Sequence, residues 1–484
     1  MEGPISTMLL RALASKTRKA APAPMLVELC EASAGRPGLR YEAYPFSYAA
    51  TASQHGNRYE FALALPHSLL LGLRAVVQAV SENLDSASVE PLTFGRLIEV
   101  LEQLAAEQLA LVPGLTHTRE LSELVAFEAI GLSRILGLAK DQFITEFYID
   151  SDSSPVYLDH SKLGRCDTSI MLTERERKAI ETHMDTFRGY SLDYTTPSLK
   201  NDIEVAGARL RVSLDLDPVS VNRFALDVRR LNLSSLSLPQ LVGMRVISGE
   251  GACLLVAWLE LGGNVTVIGE TGTGKTTLLN ALDERLNPKL RRVYIEDAVE
   301  TRDLLERGYH QVKIKVDPFE RSERNLRTKG AEIVKVLHRS PDIVILSEIQ
   351  SEEHSAAFFH SLSSGVRGLQ TFHASSAEQA VRRWVNVHGI PKQSLLDLGI
   401  LVQMSRPDRT KPLRIVSRIC QIVSEGGEPR LRDLFLRDKV AELRRVVAWE
   451  RLAPPVGRSL EDLLECAKRE SSVLAQSELA PCSE

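Results

Sequence analysis

The hydrophobic pattern changes character three times along the chain, and each change marks a region. Residues 1 to about 60 keep no period for long. Small and turn-forming residues dominate there, and Arg11, Lys16, Arg18 and Lys19 form a modest basic cluster. A loosely ordered, solvated segment is expected over 1–60. From His67 to about Gly137 the pattern turns helical. Leu97, Val100, Leu101 and Leu104 have the i, i+3, i+4, i+7 spacing of one buried face, and Leu121, Leu124, Val125 and Ala129 suggest a second helix. Residues 61–139 are therefore expected to form a helical module that carries no chemistry.

Near Phe143 strand-type residues take over. Ile144, Phe147 and Ile149, then Val156 and Leu158, predict two strands joined by a turn over Asp150–Pro155. Thr173 and Glu176 make a capping box that opens a helix, with Gly189 as its expected end. Two further strands are expected at Ala208–Leu214 and Phe224–Val228. Residues 140–231 thus predict a compact α+β domain, and the Ser- and Pro-containing stretch 232–240 predicts a linker.

From about Leu241 helix and strand patterns alternate. A helix through Leu254, Leu255, Trp258 and Leu259 comes first. Strands are expected at Val265–Ile268, Arg292–Glu296, Val312–Val316, Asp342–Ser347 and Leu369–Phe372, with helices between most of them. Such alternation predicts an α/β domain over 241–484 whose parallel sheet is covered on both faces and binds ligands at its strand C-termini. Antiparallel strands are expected at Leu398–Met404, Leu413–Ile422 and Arg430–Leu436, with a turn at Gly426-Gly427, before a charged helix near Leu460–Ala475. No internal repeat at solenoid periods is present.

Composition narrows the classes. A chain of 484 residues has room for about three domains. The formal charge of −4 lacks the basic footprint of a dedicated nucleic-acid binder. Six scattered cysteines without a C-x-x-C pair fit reduced thiols in a cytosolic protein. No apolar run reaches the roughly 18 residues that cross a bilayer, and the N-terminus lacks a signal-peptide pattern. Any membrane association is expected to go through a partner.

One stretch carries the chemistry. Gly269-Glu-Thr-Gly-Thr-Gly-Lys-Thr-Thr277 follows a short β-branched strand and opens a helix. This is G-x-x-x-x-G-K-[ST] in the strand–loop–helix context that the motif requires. Glycines at 269, 272 and 274 let backbone N–H groups converge on phosphate oxygens, aided by the helix N-terminus. Lys275 can reach the β- and γ-phosphates, and the Thr276 hydroxyl can hold Mg²⁺. The residues expected to bind a nucleoside triphosphate are Gly269, Glu270, Thr271, Gly272, Thr273, Gly274, Lys275, Thr276 and Thr277. Three further strand ends bear chemistry: Glu296-Asp297 after Arg292-Val-Tyr-Ile, Glu348 after Pro341-Asp-Ile-Val-Ile-Leu-Ser, and His373 after Gln370-Thr-Phe. Glu348 is expected to activate water or to join Thr276 on Mg²⁺, Glu296 and Asp297 to orient water or Mg²⁺ ligands, and His373 to touch the γ-phosphate.

Together these stretches occur in the order of the Walker A, Asp box, Walker B and His box, and over roughly 140–425 the chain resembles the type II/type IV secretion ATPase superfamily. Leu278-Leu-Asn-Ala-Leu282 and Ile295-Glu-Asp-Ala298 resemble the archaeal pilus/archaellum and tight-adherence branches more than the bacterial type II and pilus-extension branch. Many members of that bacterial branch carry a paired C-x-x-C motif that this chain lacks. Ser347 stands where the family usually has Gly, and Gln350 where many members have Arg. The resemblance implies a RecA-like motor domain hinged to a PAS-like α+β domain. It also implies a cytoplasmic homo-hexamer at the inner face of the membrane, hydrolysing ATP with Mg²⁺ against a polytopic platform protein. Arg211 and Arg229 look like the family's arginines that reach the nucleotide. A DNA or protein translocation ATPase, or a nucleotide-gated scaffold with little turnover, stand as alternatives.

Overall fold

The computed structural model describes residues 28–32, 36–52, 56–86, 94–112, 114–185, 197–231, 236–316, 328–408, 411–438 and 442–478. Two compact units meet in sequence between Leu233 and Ser234.

In the first unit the strands are β1 (Glu28–Ala32), β2 (Arg36–Ala43), β3 (Phe46–Thr51), β4 (Asn57–Leu63), β5 (Ile144–Ile149), β6 (Tyr157–His160), β7 (Gly164–Thr168), β8 (Ser198–Val205), β9 (Ala208–Leu216) and β10 (Phe224–Arg230). They form one sheet in the order β1-β2-β3-β4-β7-β6-β5-β10-β9-β8, with β4–β7 its parallel pair. Helices α1 (His67–Ser86), α2 (Phe94–Ala110), α3 (Thr118–Ala129), α4 (Ser133–Lys140) and α5 (Glu174–Asp185) complete the unit.

The expected loose segment is therefore corrected over its described part. Leu39 and Tyr41, then Phe46, Tyr48 and Ala50, alternate into the core, and Tyr59 joins them. Tyr41 and Tyr59 each donate to Asp141 Oδ2 at 2.6 Å, and Tyr48 donates to the Gly137 carbonyl at 2.9 Å. These bonds tie the early strands to the α4–β5 junction. The Arg11–Lys19 cluster and Gly189 lie outside the described residues. Helices do occupy much of 61–139, but they share one core with the sheet and do not form a module of their own. The buried face of α2 is Phe94, Ile98, Leu101, Ala105 and Leu109, rotated from the predicted stripe. The Thr173–Glu176 capping box is present, with Glu176 N bonded to Thr173 Oγ1 at 3.3 Å and Thr173 N to Glu176 Oε2 at 2.7 Å. Strand β8, which the pattern missed, is an edge strand burying only Ile203 and Val205.

The second unit begins where a linker was expected. Ser237 and Gln240 form a capping box for α6 (Leu238–Gly243), so the described end of 232–240 is helical. Then come α7 (Gly249–Glu260), β11 (Val265–Gly269), α8 (Lys275–Asp283), β12 (Arg292–Glu296), β13 (Gln311–Lys315), α9 (Lys329–Lys335), β14 (Ile343–Ile349), α10 (Glu352–Ser363), β15 (Arg367–His373) and α11 (Ala377–Arg382). The last elements are β16 (Ile400–Ser405), β17 (Ile415–Glu425), β18 (Glu428–Arg437), β19 (Leu443–Arg445) and α12 (Leu460–Glu478). The sheet runs β13-β12-β14-β15-β11-β16-β17-β18-β19. Pairs from β13 to β16 are parallel, and those beyond are antiparallel.

Period-two alternation sorts this sheet's side chains into two cores. Val265, Val267, Tyr294, Ile343, Ile345 and Leu369 face α7, α8 and α12. Ile268, Val293, Ile295, Val344, Leu346 and Phe372 face α9, α10 and α11. With both faces covered, a ligand can reach the sheet only at its strand ends.

Candidate active site

Because β11, β12, β14 and β15 are parallel neighbours, their C-termini lie along one edge of the sheet. Gly269 and His373 are register partners, which brings the phosphate loop beside the end of β15. Between β11 and α8 the loop turns on Gly272 (φ 75°) and Gly274 (φ 90°), a left-handed conformation that side chains resist. At Gly269 a Cβ would lie 2.6 Å from Thr273 Oγ1 and 2.8 Å from the Met404 carbonyl, so only glycine fits. Thr273 Oγ1 donates to the Glu270 carbonyl at 2.8 Å, closing the turn. Lys275 Nζ donates to the carbonyls of Gly269 at 3.0 Å and Glu270 at 2.9 Å. Arg414 Nε adds a bond to the Gly272 carbonyl at 2.7 Å. Glu270, Thr271 and Gly272 are exposed at the loop's tip, with Thr277 half-buried behind.

Glu348 and His373 come together. The ends of β14 and β15 place His373 Nε2 against Glu348 Oε1, while Gln350 Nε2 donates to Glu348 Oε2 at 2.5 Å. Burial pushes the Glu348 carboxyl up. The hydrogen bond and charge of His373, the Gln350 amide and the Lys275 charge more than offset this and bring it to about 2. Glu348 is thus ionised at neutral pH, within the field of the loop lysine. Gln350, in the position of a family arginine, takes up a neutral bond to the same carboxylate.

The two acids at the end of β12 part ways. Glu296 turns into its own loop, accepting from Glu300 N and Thr301 N at 3.0 Å and from Thr301 Oγ1 at 2.7 Å. Burial raises its carboxyl pKa, opposed chiefly by the Thr301 bonds. With these partners Glu296 organises its own loop. The loop it shapes presents Glu300, whose Oε2 accepts from Thr276 Oγ1 at 2.9 Å. Sequence reasoning missed Glu300, whose contact with Thr276 depends on the loop that Glu296 folds. Asp297 faces the buried Lys329, with Oδ1 3.5 Å from Nζ. Arg211 and Arg229 belong to the first unit, where they sit opposite each other on β9 and β10. There Arg211 Nε bonds Asp202 Oδ1 at 3.0 Å, and Arg229 bonds Glu146 Oε1 through Nη2 at 2.8 Å and Nε at 3.2 Å.

These residues fit a triphosphate with Mg²⁺. The glycine cradle excludes a Cβ, Lys275 supplies a cation, and the Thr276 hydroxyl stands within hydrogen-bond distance of the Glu300 carboxylate. Few protein oxygens are the usual provision for Mg²⁺, which takes the rest from phosphate and water. No group of three or more His, Cys, Asp or Glu side chains that could hold a metal alone occurs among the described residues.

A family model described as type II/IV secretion system protein matches residues 199–411. The chain belongs to the type II/type IV secretion ATPase superfamily. An uncharacterised Methanocaldococcus jannaschii protein is 31% identical over 198 residues, 40% of this chain and 70% of that protein. The Bordetella pertussis type IV secretion system protein PtlH is 34% identical over 190 residues, covering 37% of this chain and 52% of PtlH. Several relatives are matched over about half their length or less. Among solved structures, the Legionella pneumophila ATPase DotB overlaps 60% of this chain and 80% of its own, at TM-score 0.42 and 17% identity.

Proposed function

We propose that this chain is an ATP-hydrolysing motor with a RecA-like domain in the second unit. The observation that carries the reading is the Glu348–His373 pair at the strand edge beside the phosphate loop. Bound Mg-ATP would supply the γ-phosphoryl group for attack by water. Lys275 would neutralise charge on the β- and γ-phosphates, Thr276 and Glu300 would hold the cation, and Glu348 would take the proton from water. A carboxylate at about 2 is a weak base, and acid–base catalysis favours a pKa near the working pH. His373 must therefore release Glu348 before chemistry, and a turn toward the γ-phosphate would do both jobs at once.

The motor would work as a homo-hexamer in the cytoplasm, at the inner face of the cell membrane, against a polytopic platform protein of a pilus- or archaellum-like apparatus. In the described residues no helix is long and apolar enough to cross a membrane. The likeness to PtlH favours one second reading, a translocation ATPase of a type IV secretion-like system.

Phosphate release by wild type and Glu348→Gln tests the core of this proposal. The wild type should turn over ATP, and the variant should bind it about normally yet trap it unhydrolysed. A wild type that binds ATP without turnover would leave a nucleotide-gated scaffold in its place. Arg211 and Arg229 would exchange Asp202 and Glu146 for phosphoryl oxygens. Arg229→Ala is expected to lower kcat by about tenfold with little change in ATP affinity, a modest fraction of what such arginines contribute elsewhere. Unchanged kcat in both Arg211→Ala and Arg229→Ala would remove this role.

A further inference from the structure

The end of β14 is irregular at the residue that matters most. Leu346 pairs with Gln370, but Ile349 pairs with Phe372, so β14 spends three residues where β15 spends two. The extra residue is a bulge at Ser347–Glu348, a device that re-aims a side chain next to a site. It turns Glu348 toward His373. Residues at and around the bulge have carbonyls that side chains take up. Thr371 Oγ1 donates to the Ser347 carbonyl. Lys329 Nζ donates to the Glu348 carbonyl at 2.5 Å. Arg383 donates through Nη2 to the Gln350 carbonyl at 3.0 Å, and through Nη1 to the His373 carbonyl at 2.7 Å.

One of the two cations is not where helix physics would put it for stability. Lys329 is the first residue of α9, where the helix dipole disfavours a positive charge, and it is only 2% exposed. Burying an ammonium at that end is unfavourable unless close acceptors offset it. Its acceptors are the Glu348 carbonyl and Asp297. Arg383 opens a π-helical turn, Arg383–Val387, and its guanidinium lies 5.0 Å from the centroid of the Phe372 ring. Packed on that ring, it spans the ends of both strands that carry the Glu348–His373 pair. Between them, the two cations bracket one short piece of main chain, at the Glu348 and Gln350 carbonyls.

We propose that Lys329 and Arg383 are positioning residues, which hold the bulged end of β14 and so fix where the Glu348 carboxylate points. This rests on the hydrolytic reading of the site. Neither side chain needs to touch the nucleotide, so their loss should slow chemistry more than it weakens binding. Lys329→Met and Arg383→Met are each expected to lower kcat for phosphate release by about ten- to a hundredfold, with KM within about twofold. Arg383→Lys, which keeps one donor for one of the two carbonyls, should recover part of that loss. In parallel, hydrogen exchange should rise in peptides spanning 343–350 and stay unchanged in those spanning 265–283. An active wild type with unchanged kcat in both Met variants would overturn the proposal, as would losses confined to KM. Should one Met variant fail to fold, the other decides. A wild type without turnover would instead strike the hydrolytic reading. The exchange pattern would then judge the bracket alone, and equal exchange at 343–350 in variant and wild type would overturn it.

Discussion

The two ends of α8 carry charges that oppose the helix dipole, and the protein answers each differently. Lys275 opens the helix and Asp283 closes it, whereas anions are favoured at the first turn and cations at the last. At the closing end the protein supplies the remedy itself. Arg292, with no exposure, donates through Nε to Asp283 Oδ1 at 2.8 Å, and its other nitrogens reach the carbonyls of Leu290 at 3.0 Å and Leu286 at 2.9 Å. Tyr294 adds a bond to Asp283 Oδ2 at 2.7 Å. This is a dry bolt between α8 and β12. At the opening end, Lys275 is met by loop carbonyls, beside an exposed loop tip and within the field of Glu348. Carbonyls lower the penalty of holding a cation without cancelling its charge. An inverted charge neutralised internally stabilises the fold, while one held by carbonyls keeps its attraction for an anion.

Breaking the bolt should give the largest effect. Arg292→Ala leaves Asp283 buried beside one hydroxyl, and removal of one member of a buried pair typically destabilises by about 3–5 kcal/mol. Denaturant unfolding measures this. Replacing both partners, as in Asp283→Leu with Arg292→Met, should lose much less than the sum of the single changes, because no orphan charge remains. Additive losses would show that the pair is not acting as a unit. The mouth should behave in the opposite way. Lys275→Ala is expected to lower ATP turnover by about 10²–10³ while leaving the unfolding midpoint close to wild type. More than about a tenth of wild-type turnover in that variant would sink the assignment of the loop. A large loss of stability would erase the contrast between the two ends.

How much of this was legible follows the same divide between local and distant causes. Strand β12 was readable to the residue, and β14 and β15 nearly so, because an apolar run ends at a polar residue and that boundary is local. The loop itself needs only its own glycines. Glu300 was not legible as a partner of Thr276, since the contact depends on Glu296 folding the intervening loop. Lys329 and Arg383 were missed for a related reason. Their acceptors are main-chain carbonyls bared by a bulge, and a bulge arises from register between strands, which no single strand announces. The early strands were a different failure. Leu39/Tyr41 and Phe46/Tyr48/Ala50 do alternate, but the surrounding small residues masked the period, and the Asp141 carboxylate that locks Tyr41 and Tyr59 lies far along the chain.

The smallest effect gives the finest test, because the carboxylates of mouth and bolt titrate with opposite signs. Asp283 is pushed up by burial, more than Arg292 and Tyr294 lower it, so acidification through its window favours the folded form. Glu348 is pulled down from 4.5 to about 2. Its folded value lies below its unfolded one, so its stabilisation is complete well above 4.5 and drains away as pH falls toward 2. Integrated over that difference, about 1 kcal/mol of it should be lost between pH 7 and pH 4. Glu348→Gln has no such proton to bind. Unfolding free energies measured for both proteins across this range should therefore converge by about 1 kcal/mol as pH falls, with Asp283 contributing equally to each and cancelling. Parallel curves would mean that His373 does not hold the carboxylate in solution. The release of Glu348 by His373 would then no longer be a step that hydrolysis has to await.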